Sequence, residues 1–147
     1  MQRITHNTEE TIAQGRAIAA LLAPPRLVLL SGELGAGKTT LAKGIISGLG
    51  AAREEDVTSP TFTLVHVFRR SSPTPLTVYH IDLYRIDGRA DLATLGLEDL
   101  FEEPSIILVE WPDRLAALGG RADWPTLRIH LTHDSDDKRT LELDGAL

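Results

Sequence analysis

The chain has 147 residues, 21 acidic against 15 basic side chains, a net charge of −6 and no cysteine. One domain of that size buries a core of its own, and 42% hydrophobic with 24% charged residues excludes a disordered, collagen-like or coiled-coil chain. Lack of cysteine excludes disulfides, a thiol nucleophile and a thiolate metal site, and the acidic balance argues against a surface that neutralises many phosphates by itself.

A helix is expected from a Thr8 cap to about Leu22, with Glu9 and Glu10 in its first turn and Pro24-Pro25 as its stop. Arg26–Ser31 (RLVLLS) is predicted as a short buried parallel strand. A glycine-rich turn leads into a second helix with Leu41, Gly44, Ile45, Gly48 and Leu49 on one face and Gly50 as its C-terminal stop. Phe62–Arg69 and Leu76–Leu83 alternate around a Ser71–Pro75 turn and are predicted as a hairpin. Asp87–Phe101 is predicted as short irregular helices. Ile106–Glu110 is a second buried strand, ending in a carboxylate. Thr126–His133 alternates Leu127, Ile129 and Leu131 inward, and a polar turn over Asp134–Asp137 leads to a last strand around Arg139–Leu143. The aliphatic runs Leu27–Leu30 and Ile106–Val109 are far too short to span a bilayer. The N-terminus has no basic patch followed by an apolar stretch, so a cytoplasmic protein without membrane contact is expected. The whole chain, 1–147, is read as a single domain.

Gly32-Glu33-Leu34-Gly35-Ala36-Gly37-Lys38-Thr39 fits the phosphate-binding pattern G-x-x-x-x-G-K-[ST] at every specified position. Its glycines let successive N–H groups point into one hollow, and the helix behind it adds the positive end of its dipole. Lys38 is expected at the β- and γ-phosphates and the Thr39 hydroxyl on Mg²⁺. Such a loop needs acidic groups elsewhere to hold the metal and orient water. Glu110 closes the run IILV-E at the end of a buried strand, where ligands of open α/β sheets gather; the alternative is a surface glutamate. Asp82 ends Val78-Tyr79-His80-Ile81-Asp82 and is the second candidate, with a solvent-facing aspartate as its alternative. His80 is read as structural, because no metal-ligand partner stands near it in sequence. Trp111 is either core or an aromatic lid.

A GTPase would carry N-K-x-D and D-x-x-G, and neither string occurs. An ABC-type ATPase, a motor or a helicase would need more chain. Two other classes stay open at this point. A free-standing small-molecule kinase would need an arginine-rich lid, which the scattered arginines do not mark. A non-catalytic nucleotide-sensing adaptor would need Lys38 but neither Glu110 nor Asp82.

The set G-E-L-G-A-G-K-T-T at 32–40, S-P-T-F-T-L-V at 59–65, H-I-D-L-Y-R at 80–85, L-G-L-E-D at 95–99 and I-I-L-V-E-W-P at 106–112 resembles the TsaE (YjeE) family, in order over residues 8–143. The resemblance implies an α/β fold of the P-loop NTPase kind, with central parallel strands flanked by antiparallel strands and helices. It implies a bacterial ATPase, with ATP and Mg²⁺ as cofactors, that serves threonylcarbamoyladenosine formation beside the tRNA anticodon. TsaB and TsaD would be its partners, tRNA would be held mainly through them, and hydrolysis would reset the machine between turnovers. By matching position, Leu34, Gly35, Ala36, Gly37, Lys38 and Thr39 would meet the phosphates, with Thr40 beside them. Thr39 and Glu110 would hold Mg²⁺. Asp82 would serve hydrolysis together with Glu110 and Lys38. Thr61 falls in a switch-like segment, Thr11 would touch the nucleotide and Arg139 would pack near the adenine. The chain departs from the family at Phe62 and Phe68, where tyrosine is common, and over 117–125.

Overall fold

In the computed structural model, which describes residues 1–60, 65–84, 97–112 and 124–145, the buried runs of the sequence become neighbouring strands. The described elements are β1 (Gln2–Thr5), α1 (Thr8–Ala19), β2 (Arg26–Ser31), α2 (Lys38–Gly48), β3 (Val65–Arg70), β4 (Leu76–Asp82), β5 (Ile106–Glu110), β6 (Thr126–Ser135) and β7 (Lys138–Gly145). Single 3₁₀ turns cover Glu54–Asp56 and Leu97–Phe101. The sheet order is β1-β7-β6-β2-β5-β4-β3. The central four strands, β6-β2-β5-β4, run parallel, while β3, β7 and β1 each pair antiparallel at the flanks. This is the architecture expected from the sequence.

β5 lies between β2 and β4, and every one of its residues is buried. Two-sided burial explains why Ile106–Val109 is uniformly aliphatic rather than alternating. On one face, Val28, Leu30, Ile106 and Leu108 pack against Ile18 of α1 and Leu41 and Ile45 of α2. On the other, Leu27, Leu29, Ile107 and Val109 meet Ile81, Leu83 and Trp124. Fully burying each such side chain contributes about 1.5–3 kcal/mol.

Three local details differ from the sequence reading. Asn7, rather than Thr8, caps α1: its side chain accepts the Glu10 N–H at 2.8 Å, while the Glu10 carboxylate accepts the His6 N–H in return. α1 ends at Ala19, and Leu21 and Leu22 continue only as a tighter turn back to Ile18 and Ala19. β1 was not expected at all. It is an edge strand whose apolar residue, Ile4, faces solvent while Thr5 is buried, so its pattern runs opposite to that of a core strand. The hairpin is confirmed as the β3–β4 pair, and β6–β7 likewise. Gly50, just past α2, has φ of +74° as a C-terminal stop requires. The expected helices over 87–96, the start of the first hairpin strand at 62–64 and the stretch 117–123 lie outside the described residues.

The two helices cross closely because they meet at glycines. A Cβ on Gly44 would stand 2.2 Å from the Ile12 carbonyl oxygen, and one on Gly15 would stand 2.6 Å from that of Leu41. This close approach fixes α2 on the sheet, and α2 carries the residues that follow the glycine-rich turn.

Candidate functional site

The turn from β2 into α2 sets the site. Gly37 is the N-cap of α2 with φ of +103°, a conformation that L side chains rarely adopt, and no side chain caps the helix. The first N–H groups of α2 therefore have no partner within the helix and open onto the turn. Lys38 and Thr39 follow at once. Strand register brings the acids to the same rim: Glu110 pairs with Leu30 on one side and with Asp82 on the other. Both carboxylates stand at the carboxyl ends of parallel strands and in phase with Leu108 and Val78, hence on the face covered by α2.

Lys38, Thr39, Thr40, Leu34, Gly35 and Gly37 line a cavity of about 310 Å³ together with Asp82 and Glu110. Ser59, Tyr84, Trp111 and Arg139 complete the wall. Lys38 is 5% exposed. Its ammonium donates to the carbonyls of Gly32 at 2.7 Å and Glu33 at 2.9 Å. It also stands 4.2 Å above the Trp111 ring, close enough for a cation–π contact. Burial pulls the Lys38 pKa below the ordinary lysine value, and the nearby charges of Glu110 and Asp82 push the other way without restoring it.

Thr39 and Glu110 face each other directly. The Thr39 hydroxyl reaches Glu110 Oε1 at 3.2 Å and Oε2 at 3.1 Å. Asp82 accepts the Tyr84 N–H at 2.9 Å and lies 3.5 Å from the Ser59 hydroxyl. Ala36 is buried; its N–H bonds to Glu33 within the loop, and its carbonyl accepts Arg139 Nε at 3.0 Å. Thr11 sits apart from the main cavity, in a cleft it shares with Thr40, Gly37 and Arg139. It is buried there, with its hydroxyl 2.7 Å from that of Thr5. Arg139 lines both spaces.

The cavity thus gathers the loop residues with Asp82 and Glu110, which the sequence separates by up to 76 positions (Leu34 to Glu110). Trp111 does both things expected of it: it borders the cavity and, half-buried, packs against the second core cluster. Its left-handed backbone, φ +61°, turns the ring toward Lys38, and its N–H is held by the Leu30 carbonyl at 3.3 Å. Sequence reasoning missed the contact between His80 and Glu110, whose nearest atoms are 2.6 Å apart. Spacing along the chain does not reveal it, because the partner comes from the adjoining parallel strand. Thr61 and Phe62 lie outside the described residues.

A family model described as "Threonylcarbamoyl adenosine biosynthesis protein TsaE" matches residues 5–141. The chain belongs to the TsaE family. A TsaE protein of Bacillus subtilis is 36% identical over 137 residues, covering 93% of this chain and 80% of that one. One from Rickettsia bellii is 35% identical over 139 residues, covering 94% and 90%. One from Streptomyces coelicolor reaches 47% over 98 residues, covering 66% and 64%. All three carry the name tRNA threonylcarbamoyladenosine biosynthesis protein TsaE. The crystal structure of Bacillus subtilis YdiB superposes with a TM-score of 0.70 and 31% identity, over 99% of this chain and 84% of that one. Among the described residues of this TsaE chain, no helix is long and apolar enough to cross a membrane.

Proposed function

We propose that this TsaE chain binds and hydrolyses ATP with Mg²⁺ in the cytoplasmic machinery that makes threonylcarbamoyladenosine in tRNA, together with TsaB and TsaD. The observation that carries this reading is the single cavity in which Lys38 and Thr39, at the start of α2, meet Glu110 and Asp82 from the ends of adjoining strands. The names of the relatives supply the pathway.

The donor chemistry fits Mg²⁺. A threonine hydroxyl and a carboxylate are hard oxygen ligands, and in this structure they already stand within hydrogen-bond reach of each other. When bound, Mg²⁺ neutralises charge on the β- and γ-phosphates. Thr39 and Glu110 would hold it. Lys38 would exchange the Gly32 and Glu33 carbonyls for phosphate oxygens, and the loop N–H groups other than that of Ala36, which bonds Glu33, would face the triphosphate. Asp82, anchored through one oxygen by the Tyr84 N–H, would orient the attacking water and accept its proton. Arg139 and Thr11, which share the second cleft, would meet the nucleoside side. The net charge of −6 agrees with tRNA being held mainly by the partners.

The test follows the label from γ-³²P-ATP with and without TsaB–TsaD. Slow release of inorganic phosphate by the chain alone and faster release with the pair is the expected outcome. Equal rates would remove the partner from the reading, and label in a metabolite would make the protein a kinase. Asp82→Asn is expected to keep ATP affinity while turnover falls by roughly 10²–10⁴-fold, the usual worth of a positioned base. Loss of both together would mark Asp82 as structural.

A further inference from the structure

Among the described residues the Glu110 side chain has two hydrogen-bond partners, and only one of them is engaged in the function proposed above. Thr39 is the other proposed metal ligand. His80 is neither ligand nor loop residue; it is fully buried on β4, two positions before Asp82. Its Nε2 lies 2.6 Å from Glu110 Oε2. A carboxylate without a proton only accepts, so at that distance the imidazole nitrogen donates. The second ring nitrogen, Nδ1, is buried with no hydrogen-bond partner among the described residues. The one ring atom with a bonding partner is therefore the one aimed at Glu110.

A purely space-filling role does not account for this. On the same face Val78, Ile106 and Leu108 are aliphatic, while His66 stands opposite on β3 with its ring centroid 6.4 Å away and Asp82 follows two positions on. An imidazole placed among them is costly to desolvate and leaves one nitrogen unpaired. A leucine would fill the space without either cost. What the imidazole adds is one short bond to the carboxylate at the rim of the cavity.

The geometry points to His80 as a positioning residue for Glu110. This rests on the reading of Glu110 as one arm of a Mg²⁺–nucleotide site. With nothing between them, Thr39 and Glu110 hold each other. A cation seated between the two would take the Thr39 hydroxyl away from the carboxylate. Among the described residues His80 is then the side chain that would keep the direction of Glu110, tying Oε2 back to β4. Groups that orient metal-bound carboxylates typically matter 10- to 100-fold for metal affinity.

The test is titration calorimetry of ATP, over a series of Mg²⁺ concentrations up to millimolar and again in excess EDTA, on the wild type, His80→Leu and His80→Gln. The Mg²⁺ concentration giving half-maximal nucleotide binding is read in each. His80→Leu is expected to raise that concentration about tenfold or more. Its ATP affinity in EDTA should stay within about twofold of wild type, since the phosphate loop itself is untouched. His80→Gln, whose amide N–H₂ extends to a similar reach, is expected to recover most of the loss. Equal weakening in Mg²⁺ and in EDTA, or a glutamine no better than leucine, would overturn the inference and leave His80 as core. Should His80→Leu not fold, His80→Asn replaces it: the shorter amide does not reach Glu110, and an asparagine as good as glutamine would overturn the inference equally. A wild type that binds ATP identically with and without Mg²⁺ would overturn both this inference and the metal part of the proposed function. Normal Mg²⁺ dependence in the wild type with no change in the variants would overturn this inference alone.

Discussion

Lys38 is a buried cation whose ammonium, among the described residues, hydrogen-bonds to two backbone carbonyls of its own loop. On the proposed reading its binding energy for a triphosphate would be a difference: phosphate oxygens gained, two carbonyls and an aromatic face released. Lys38→Ala is expected to weaken ATP binding by about 1.5–3 kcal/mol, roughly 10- to 150-fold, read by calorimetry. Unchanged affinity would contradict the assignment. The lowered Lys38 pKa gives the sign of a pH effect. A triphosphate stabilises the ammonium, so the complex holds its proton to higher pH than the free protein does. ATP affinity should therefore fall as pH rises through the depressed free-protein value, earlier than for an ordinary lysine, and binding above that value should take up a proton. Calorimetry in buffers of different ionisation enthalpy measures that uptake. For folding the sign is opposite: between the depressed value and 10.5 the unfolded chain binds more protons, so this lysine makes the protein more stable as pH rises through that window. Release from the carbonyls also moves a positive charge off the Trp111 ring. Trp111 emission should change on ATP binding, and the signal should vanish in Trp111→Phe while Trp124 remains.

Helix α2 presents the loop, and α1 holds α2 through bare backbone at Gly44. Gly44→Ala gains about 1 kcal/mol of helix propensity. It also places a methyl 2.2 Å from the Ile12 carbonyl oxygen, a backbone atom that moves only if the helices part. Overpacking of this kind costs roughly 1–3 kcal/mol, and more when backbone must shift. A melting temperature lower by several degrees is expected, and an unchanged one would show that the helices separate freely. At this scale the sequence was largely legible. Uniform aliphatic runs identified β2 and β5, alternation identified the two hairpins, and the glycine-lysine pattern identified the loop before α2. What escaped was whatever depended on strands meeting across the sheet. β1 has a pattern opposite to that of a core strand, because it is pinned by backbone pairing to β7 rather than by an apolar face. The His80–Glu110 contact joins residues 30 apart in the chain and neighbouring in the sheet. Asn7 was passed over for Thr8, although a capping asparagine with glutamate three residues on was there to be read.

At the scale of the whole molecule, Mg²⁺–ATP at about 100 times its Kd is expected to stabilise the fold by about 2.7 kcal/mol. For a domain of this size that is about 5–10 °C in thermal unfolding, and the shift should shrink sharply in Lys38→Ala. The protein's net charge of −6 sets a second expectation. Without TsaB and TsaD, the chain should retain little tRNA on a filter at physiological salt, and tight salt-sensitive retention would move the tRNA-binding surface onto this protein. The rim on which the cavity stands has one more consequence. Its wall is drawn from the turn into α2 and the first residues of that helix, from the ends of β4 and β5, and from Arg139 of β7, stretches spread between residues 34 and 139. No excised piece contains the hollow, and a chain with one misplaced strand contains none of it. The stoichiometry of a nucleotide titration therefore doubles as a head-count, reporting what fraction of a preparation has its sheet whole.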